Sequence, residues 1–244
     1  MTELRKNGFT FKRFFIAHDN SPMKVTTDSC LLGAWSPITA STKKVLDIGC
    51  GCGIISLMLA QRLEHCDSHI DAIDIDANAV VQCQDNIVNS PFNNITAKCI
   101  DINRYQLTNP SYYDLIVTNP PYFEPAVDCR NHQRQQARYT ENLNHTQLIT
   151  AAKRLLTITG RFCVVLPYHL SHAFIELCLS HNWYLAQQMQ IQYTDNKPIS
   201  LSLLCFSLQA VELPVLQSLT MRDNENRYSR DFRQLLNDFY LFQK

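Results

Sequence analysis

From Lys44 onward, short β-branched runs alternate with longer stretches whose apolar residues recur every three or four positions. That alternation restricts the chain to a parallel sheet with crossover helices. The spacing predicts strands over Lys44–Ile48, His69–Ile75, Ile95–Ile100, Tyr113–Thr118 and Arg161–Leu166, with helices over Ile54–Leu63, Ala77–Asn89 and His145–Thr157. Leu170–Ser180 reads as a further helix. Leu185–Tyr193 and Ser200–Leu208 read as two strands joined through the turn Asp195-Asn196-Lys197-Pro198, an antiparallel pair at the sheet edge. The expected fold is therefore α/β, a doubly wound, mostly parallel sheet with an antiparallel edge strand, and ligands belong at the carboxyl ends of its strands.

The 244 residues suffice for one sizeable core. A single domain is expected: an aromatic and basic segment over 1–43, the core over 44–210, and a tail over 211–244 in which Ser229 caps a helix burying Phe232, Leu235, Leu236 and Phe239. Twenty-two Lys and Arg balance 22 Asp and Glu, so any nucleic-acid surface must come from local clustering of charge. Ten cysteines are scattered without a CxxC, no stretch has the length and apolarity of a membrane span, and the first residues are unlike a secretory leader. These features point to reduced thiols and a cytoplasmic protein.

Val45-Leu-Asp-Ile-Gly-Cys-Gly-Cys-Gly53 is a strand running into a glycine-rich turn and then a helix. Gly49, Gly51 and Gly53 let backbone approach a ligand closely. A dinucleotide fingerprint needs glycine at position 54, which is isoleucine. The G-x-G-x-G spacing with Asp47 instead resembles motif I of the Rossmann-like class I methyltransferases, whose cofactor is S-adenosylmethionine. Its ammonium would meet the Asp47 carboxylate. In Ile73-Asp74-Ile75-Asp76, Asp74 is expected to accept the ribose hydroxyls and Ile75 to pack on adenine, Asp76 taking the ribose if the strand ends one residue later. Asp101, after the next strand, would accept the adenine amino group. Cys50 and Cys52 lack the second pair or histidine that a tetrahedral metal site needs, so no metal is expected and they read as apolar filler.

Asn119-Pro120-Pro121-Tyr122 follows the fourth strand and resembles motif IV of the amino-methyltransferases. The lone pair of an exocyclic amine is delocalised into its ring and must be localised before it attacks a sulfonium methyl. The Asn119 side-chain oxygen and the Pro120 carbonyl are two acceptors for its N–H bonds, the prolines stiffen the loop, and Tyr122 offers a face for a base taken out of its stack.

Longer stretches resemble one family, the bacterial tRNA-valine adenine-N6 methyltransferases. They are Phe11-Lys-Arg-Phe-Phe-Ile-Ala-His-Asp19, Met23-Lys-Val-Thr-Thr-Asp-Ser-Cys-Leu-Leu-Gly-Ala-Trp35, Gln133-Arg-Gln-Gln-Ala-Arg-Tyr-Thr140, Phe162-Cys-Val-Val-Leu-Pro167 and Phe239-Tyr-Leu-Phe242. The resemblance implies methylation of the adenine immediately 3′ of the anticodon of valine tRNA. It also implies that Thr27 and Asp28 close over the cofactor. For RNA contact the candidates are Arg130, Arg134 and Arg138, after the substrate motif, with Lys12, Arg13 and Lys24. The stripe Phe9, Phe11, Phe14, Phe15 reads as core rather than a stacking platform, and His18 as structural.

The Asn-Pro-Pro loop alone also suits guanine N2 in ribosomal RNA, adenine in DNA or a protein glutamine amide. A non-catalytic RNA-binding protein on the same fold is the alternative of another class, and a nicotinamide oxidoreductase a more distant one. Oligomeric state is not encoded in these patterns.

Overall fold

A computed structural model describes residues 7–18, 25–106, 112–121 and 145–242. Its centre is an eight-stranded sheet built from β3 (Lys44–Ile48), β4 (His69–Asp74), β5 (Ile95–Cys99), β6 (Tyr113–Thr118), β7 (Leu156–Pro167), β8 (Tyr184–Gln192), β9 (Ile199–Ser207) and β10 (Val215–Thr220). The order is β10-β8-β9-β7-β6-β3-β4-β5. A separate hairpin pairs β1 (Gly8–Thr10) with β2 (Phe15–Ala17).

Period-two alternation divides the core between the two faces of this sheet. Val45, Leu115, Val117, Cys163 and Val165 point to one face, and Leu46, Ile48, Ile116, Phe162, Val164 and Leu166 to the other. The first face is covered by α1 (Thr27–Trp35), α2 (Ile54–Arg62), α3 (Ala77–Val88) and α6 (Arg230–Leu235), together with the hairpin. The second is covered by α4 (His145–Leu155) and α5 (Tyr168–Ser180). Phe11 and Phe14 are buried beside Tyr240 and Phe92, which makes the aromatic stripe core, as its pattern predicts.

Three differences from the expected arrangement have physical causes. The antiparallel strand, β9, does not lie at the edge: it pairs with both β7 and β8 and so sits between them, and β10, parallel to β8, takes the edge. The 211–244 segment therefore supplies an edge strand as well as a capped helix, and Ser229 Oγ accepts from Phe232 N as expected of a cap. β10 has no alternating signature, since Val215 and Leu216 are exposed and only Leu219 is buried. Finally, α4 stops at Leu155 and β7 begins at once, with a register shift before Arg161. Thr157, Ile158 and Thr159 are β-branched and Gly160 follows, a run that disfavours continuing the helix.

Candidate active site

The parallel strands β3, β4, β5 and β6 all end at one edge of the sheet, and the sequence motifs meet there. After Ile48 the chain turns through the glycines, held by Gly49 N and Cys50 N donating to Ile73 O at 2.8 and 3.0 Å. Gly49 has φ +72°, and a Cβ there would meet nothing within 4 Å, so the turn borders open space. Gly53, with φ +86°, caps α2, and a Cβ there would lie 2.6 Å from Cys83 Sγ. Only glycine serves both the left-handed backbone and that close approach. Cys50 and Cys52 are buried in the same turn, and burial pushes the Cys52 thiol up to about 12, which keeps it neutral. Among the described residues no cluster of His, Cys, Asp and Glu could hold a metal ion.

Asp47 is fully buried one strand position before the turn. Its Oδ2 accepts from Ser56 N at 3.1 Å and Ser56 Oγ at 2.7 Å, while Oδ1 is buried with no hydrogen-bond partner. Burial raises the carboxyl to about 7, with the Ser56 bonds opposing. Asp74 closes β4, its Oδ2 accepting from Gly51 N and its Oδ1 from Asp76 N, both at 2.9 Å. Burial also lifts the Asp74 carboxyl above its ordinary value, against the pull of those two amides. Asp76 Oδ1 accepts from Asn78 N and Ala79 N and so caps α3. Ile75 leaves 43% of its surface exposed at this edge, an apolar face beside a polar turn. Asp101 Oδ1 accepts from Asn103 N at 2.9 Å in the turn after β5.

Asn119 follows β6, whose last residue, Thr118, donates its hydroxyl to Ile48 O at 2.8 Å and so ties the Asn-Pro-Pro loop to the strand before the glycine turn. The Asn119 side chain is buried. Its Nδ2 donates to Ser29 Oγ at 2.9 Å, and its Oδ1 is left without a partner. Ser29 lies in the first turn of α1, where Thr26 caps the helix by accepting from Ser29 N. Thr27 and Asp28 open that helix and so come to the same edge as Asn119. Pro120 and Pro121 follow directly. Tyr122, Lys24, Arg130, Arg134 and Arg138 lie outside the described residues.

The structure places Lys12 and Arg13 elsewhere. Arg13 forms a two-pronged ion pair with Glu64, at 2.5 and 2.7 Å, and rests over the Phe92 ring, while Lys12 donates to Asn237 O. Glu64 follows the far end of α2, a helix that starts at the glycine turn, so this pair sits at the opposite edge of the sheet. Arg13 is thus neutralised within the chain by Glu64, while Lys12 is taken up by a backbone carbonyl.

Sequence reasoning missed Ser29, Ser56 and Asn86. Asn86, on α3, donates to Cys52 O and Ala17 O and accepts from Ala17 N, tying the hairpin to the glycine turn. Ser56 could have been found, since a hydroxyl on the first turn after a glycine loop faces the preceding strand. Ser29 acts across 90 residues of sequence and carries no local signal.

Residues 30–192 match the methyltransferase small domain family. A Pectobacterium carotovorum protein named tRNA1(Val) (adenine(37)-N6)-methyltransferase is 47% identical, over 98% of this chain and 96% of its own length. A Proteus mirabilis protein of the same name is 46% identical over the same shares. The chain belongs to the tRNA1(Val) (adenine(37)-N6)-methyltransferase family. A third member, from Photorhabdus laumondii, is 45% identical over 98% of this chain and 97% of its own. Among solved structures, a predicted O-methyltransferase from Agrobacterium tumefaciens superposes with a TM-score of 0.65 at 14% identity, covering 86% of this chain and 96% of that one. A ribosomal protein L11 methylase from Lactobacillus delbrueckii gives 0.54 at 16%, covering 76% and 79%. Both share the fold, a Rossmann-like class I methyltransferase sheet. No helix among the described residues is long and apolar enough to cross a membrane.

Proposed function

We propose that this family member transfers the methyl group of S-adenosylmethionine to N6 of adenine in tRNA, at the adenine immediately 3′ of the valine anticodon. The observation that carries the amino-methyl transfer is the Asn119 amide, a buried oxygen without a partner on an amide whose nitrogen Ser29 holds, and the named relatives support tRNA adenine as the acceptor. An unpaired buried acceptor costs folding free energy, about 1 to 3 kcal/mol, and persists where a ligand supplies its donor. The N–H of a planar amine is such a donor. As that nitrogen attacks and gains positive charge, the Asn119 oxygen and Pro120 carbonyl stabilise it, and no strong base is required.

S-adenosylmethionine supplies an electrophilic sulfonium methyl. Asp47 Oδ1, also buried without a partner and at the same sheet edge, suits its ammonium, Asp74 and Ile75 its ribose and adenine, and Asp101 the adenine amino group. Thr27 and Asp28 border the same edge. With Lys12 engaged by Asn237 and Arg13 by Glu64, RNA contact falls first to Arg130, Arg134 and Arg138, next in sequence to the substrate motif, with Lys24 from the segment before α1. The chain is proposed to work as one domain in the cytoplasm. The test is to incubate it with radiolabelled S-adenosylmethionine and tRNA from a strain lacking the activity, then digest and identify the labelled nucleoside. N6-methyladenosine confined to valine tRNA is the expected result, and label in ribosomal RNA, DNA or protein instead would overturn the substrate.

The cofactor assignment predicts a pH dependence. The Asp47 carboxyl rises from an ordinary 3.8 to about 7 on folding, so the folded chain holds a proton there that the unfolded chain releases. The stabilisation is fully present below the unfolded value and is lost as pH rises through about 7. The melting temperature of the free protein is therefore expected to fall between pH 6 and pH 8, and less so in Asp47→Asn. An ammonium on Asp47 offsets the loss, so S-adenosylmethionine should raise the melting temperature more at pH 8 than at pH 6 in the wild type only. Equal rises at both pH values would refute the pairing.

A further inference from the structure

β8 and β10 end at the same edge of the sheet as β6, because β9 is antiparallel to both β7 and β8 and β10 is parallel to β8. Past their ends the pairing continues through Arg222 N donating to Tyr193 O at 2.8 Å. The Arg222 guanidinium lies 4.1 Å over the Tyr228 ring and 5.9 Å from the Tyr193 ring. Tyr228 stacks in turn on Phe232, at 4.8 Å and 8°, and Phe232 is buried in the core. The stack is thus rooted in the protein interior and held flat. Arg222 Nη1 donates to Asn226 O at 2.5 Å, and among the described residues no carboxylate lies within ion-pair distance of it. The acids nearest in sequence are occupied: Asp223 and Glu225 by Arg227, and Asp195 by Thr220 and Gln192. Tyr193 leaves 44% of its surface exposed, its hydroxyl donating to Asn226 Oδ1 at 3.2 Å.

An uncompensated cation fixed in a plane beside an exposed ring, on the edge that carries the reacting loop, is a combination that recognises single-stranded RNA. The guanidinium takes a phosphate and the ring takes a base face. Three inter-strand steps of about 4.8 Å separate β6 from β8, on the order of 14 Å, a reach that a few nucleotides cover. We infer that Tyr193 and Arg222 form a docking surface for the nucleotides flanking the target adenine in the substrate's loop. This rests on the proposed RNA substrate and extends it to a place of contact that no local cluster of basic residues marks in the sequence.

The test measures binding of an unmodified tRNA anticodon stem-loop, and its methylation at saturating S-adenosylmethionine, for wild type, Arg222→Gln and Tyr193→Leu. Tyr193→Leu is expected to weaken RNA binding roughly tenfold, as loss of one stacked base does, with the rate at saturating RNA and the cofactor affinity retained. Arg222→Gln should weaken binding and reduce the slope of log K against log salt by about 0.7 to 0.9, the signature of one lost phosphate contact. A merely structural role would lower the melting temperature and cofactor affinity without moving that slope, so Arg222→Gln with the wild-type slope overturns the inference. So does Tyr193→Leu binding like wild type. If the wild type methylates the stem-loop while both variants bind it normally, only the docking surface fails. If the wild type neither binds nor methylates it, the RNA reading fails with it.

Discussion

Asn119→Ala is expected to lower the rate of methyl transfer by roughly 10²- to 10³-fold, the cost of removing one preorganised electrostatic partner of a transition state. The effect belongs to the chemical step because of where the amide sits. Its nitrogen is held by Ser29, its oxygen is buried and unpartnered, and Thr118 anchors the strand that presents it to the cofactor strand. Among the described residues the Asn119 side chain makes no hydrogen bond to the ends of β3, β4 and β5, where the proposed cofactor cradle lies. Its loss should therefore leave S-adenosylmethionine affinity within about twofold and remove an orphaned polar group, so stability should not fall sharply. Single-turnover methylation with both substrates saturating, beside calorimetric cofactor binding, separates the two. A variant that transfers methyl groups at the wild-type rate would refute the mechanism for any acceptor.

What was legible in the sequence follows from how far each signal reaches. β3 and β6 lie where their β-branched runs predict, and β4, β5 and α2 end one residue early, because hydrophobic period is a local property of a buried element. Asp47, the glycines, Asp74 and Asn119 were legible because strand ends in a parallel sheet gather at one edge whatever the loops do. β10 was not, since an edge strand exposing Val215 and Leu216 has no buried face to impose a period. Nor was the fate of Arg13, which depends on Glu64, 51 residues away. Charge in a sequence gives no information on which partner neutralises it. Ser29 shows the same limit for hydrogen bonds: a serine in a helix's first turn is a common capping feature, and only the tertiary structure aims it at Asn119.

Asp74, expected at the ribose, and Asp76, its alternative, differ in the bonds they make, and this leads to the second large effect. Asp74→Ala is expected to weaken S-adenosylmethionine binding by roughly 30- to 1000-fold, the loss of about 2 to 4 kcal/mol of charge-assisted hydrogen bonding. Two losses combine there. The ribose would lose its acceptor, and Gly51 N and Asp76 N would lose the carboxylate that fixes the glycine turn. Asp74→Asn should be nearly as damaging, because an amide nitrogen at Oδ2 would face the Gly51 N–H donor to donor. Asp76→Ala removes the α3 cap, which costs about 1 kcal/mol of stability, and should change cofactor affinity a few-fold at most. Isothermal titration of the three variants with S-adenosylmethionine and its demethylated product, at one pH, reads the contrast directly. A large loss of affinity in Asp76→Ala with little change in Asp74→Ala would transfer the ribose to Asp76 and leave Asp74 as a brace of the glycine turn alone.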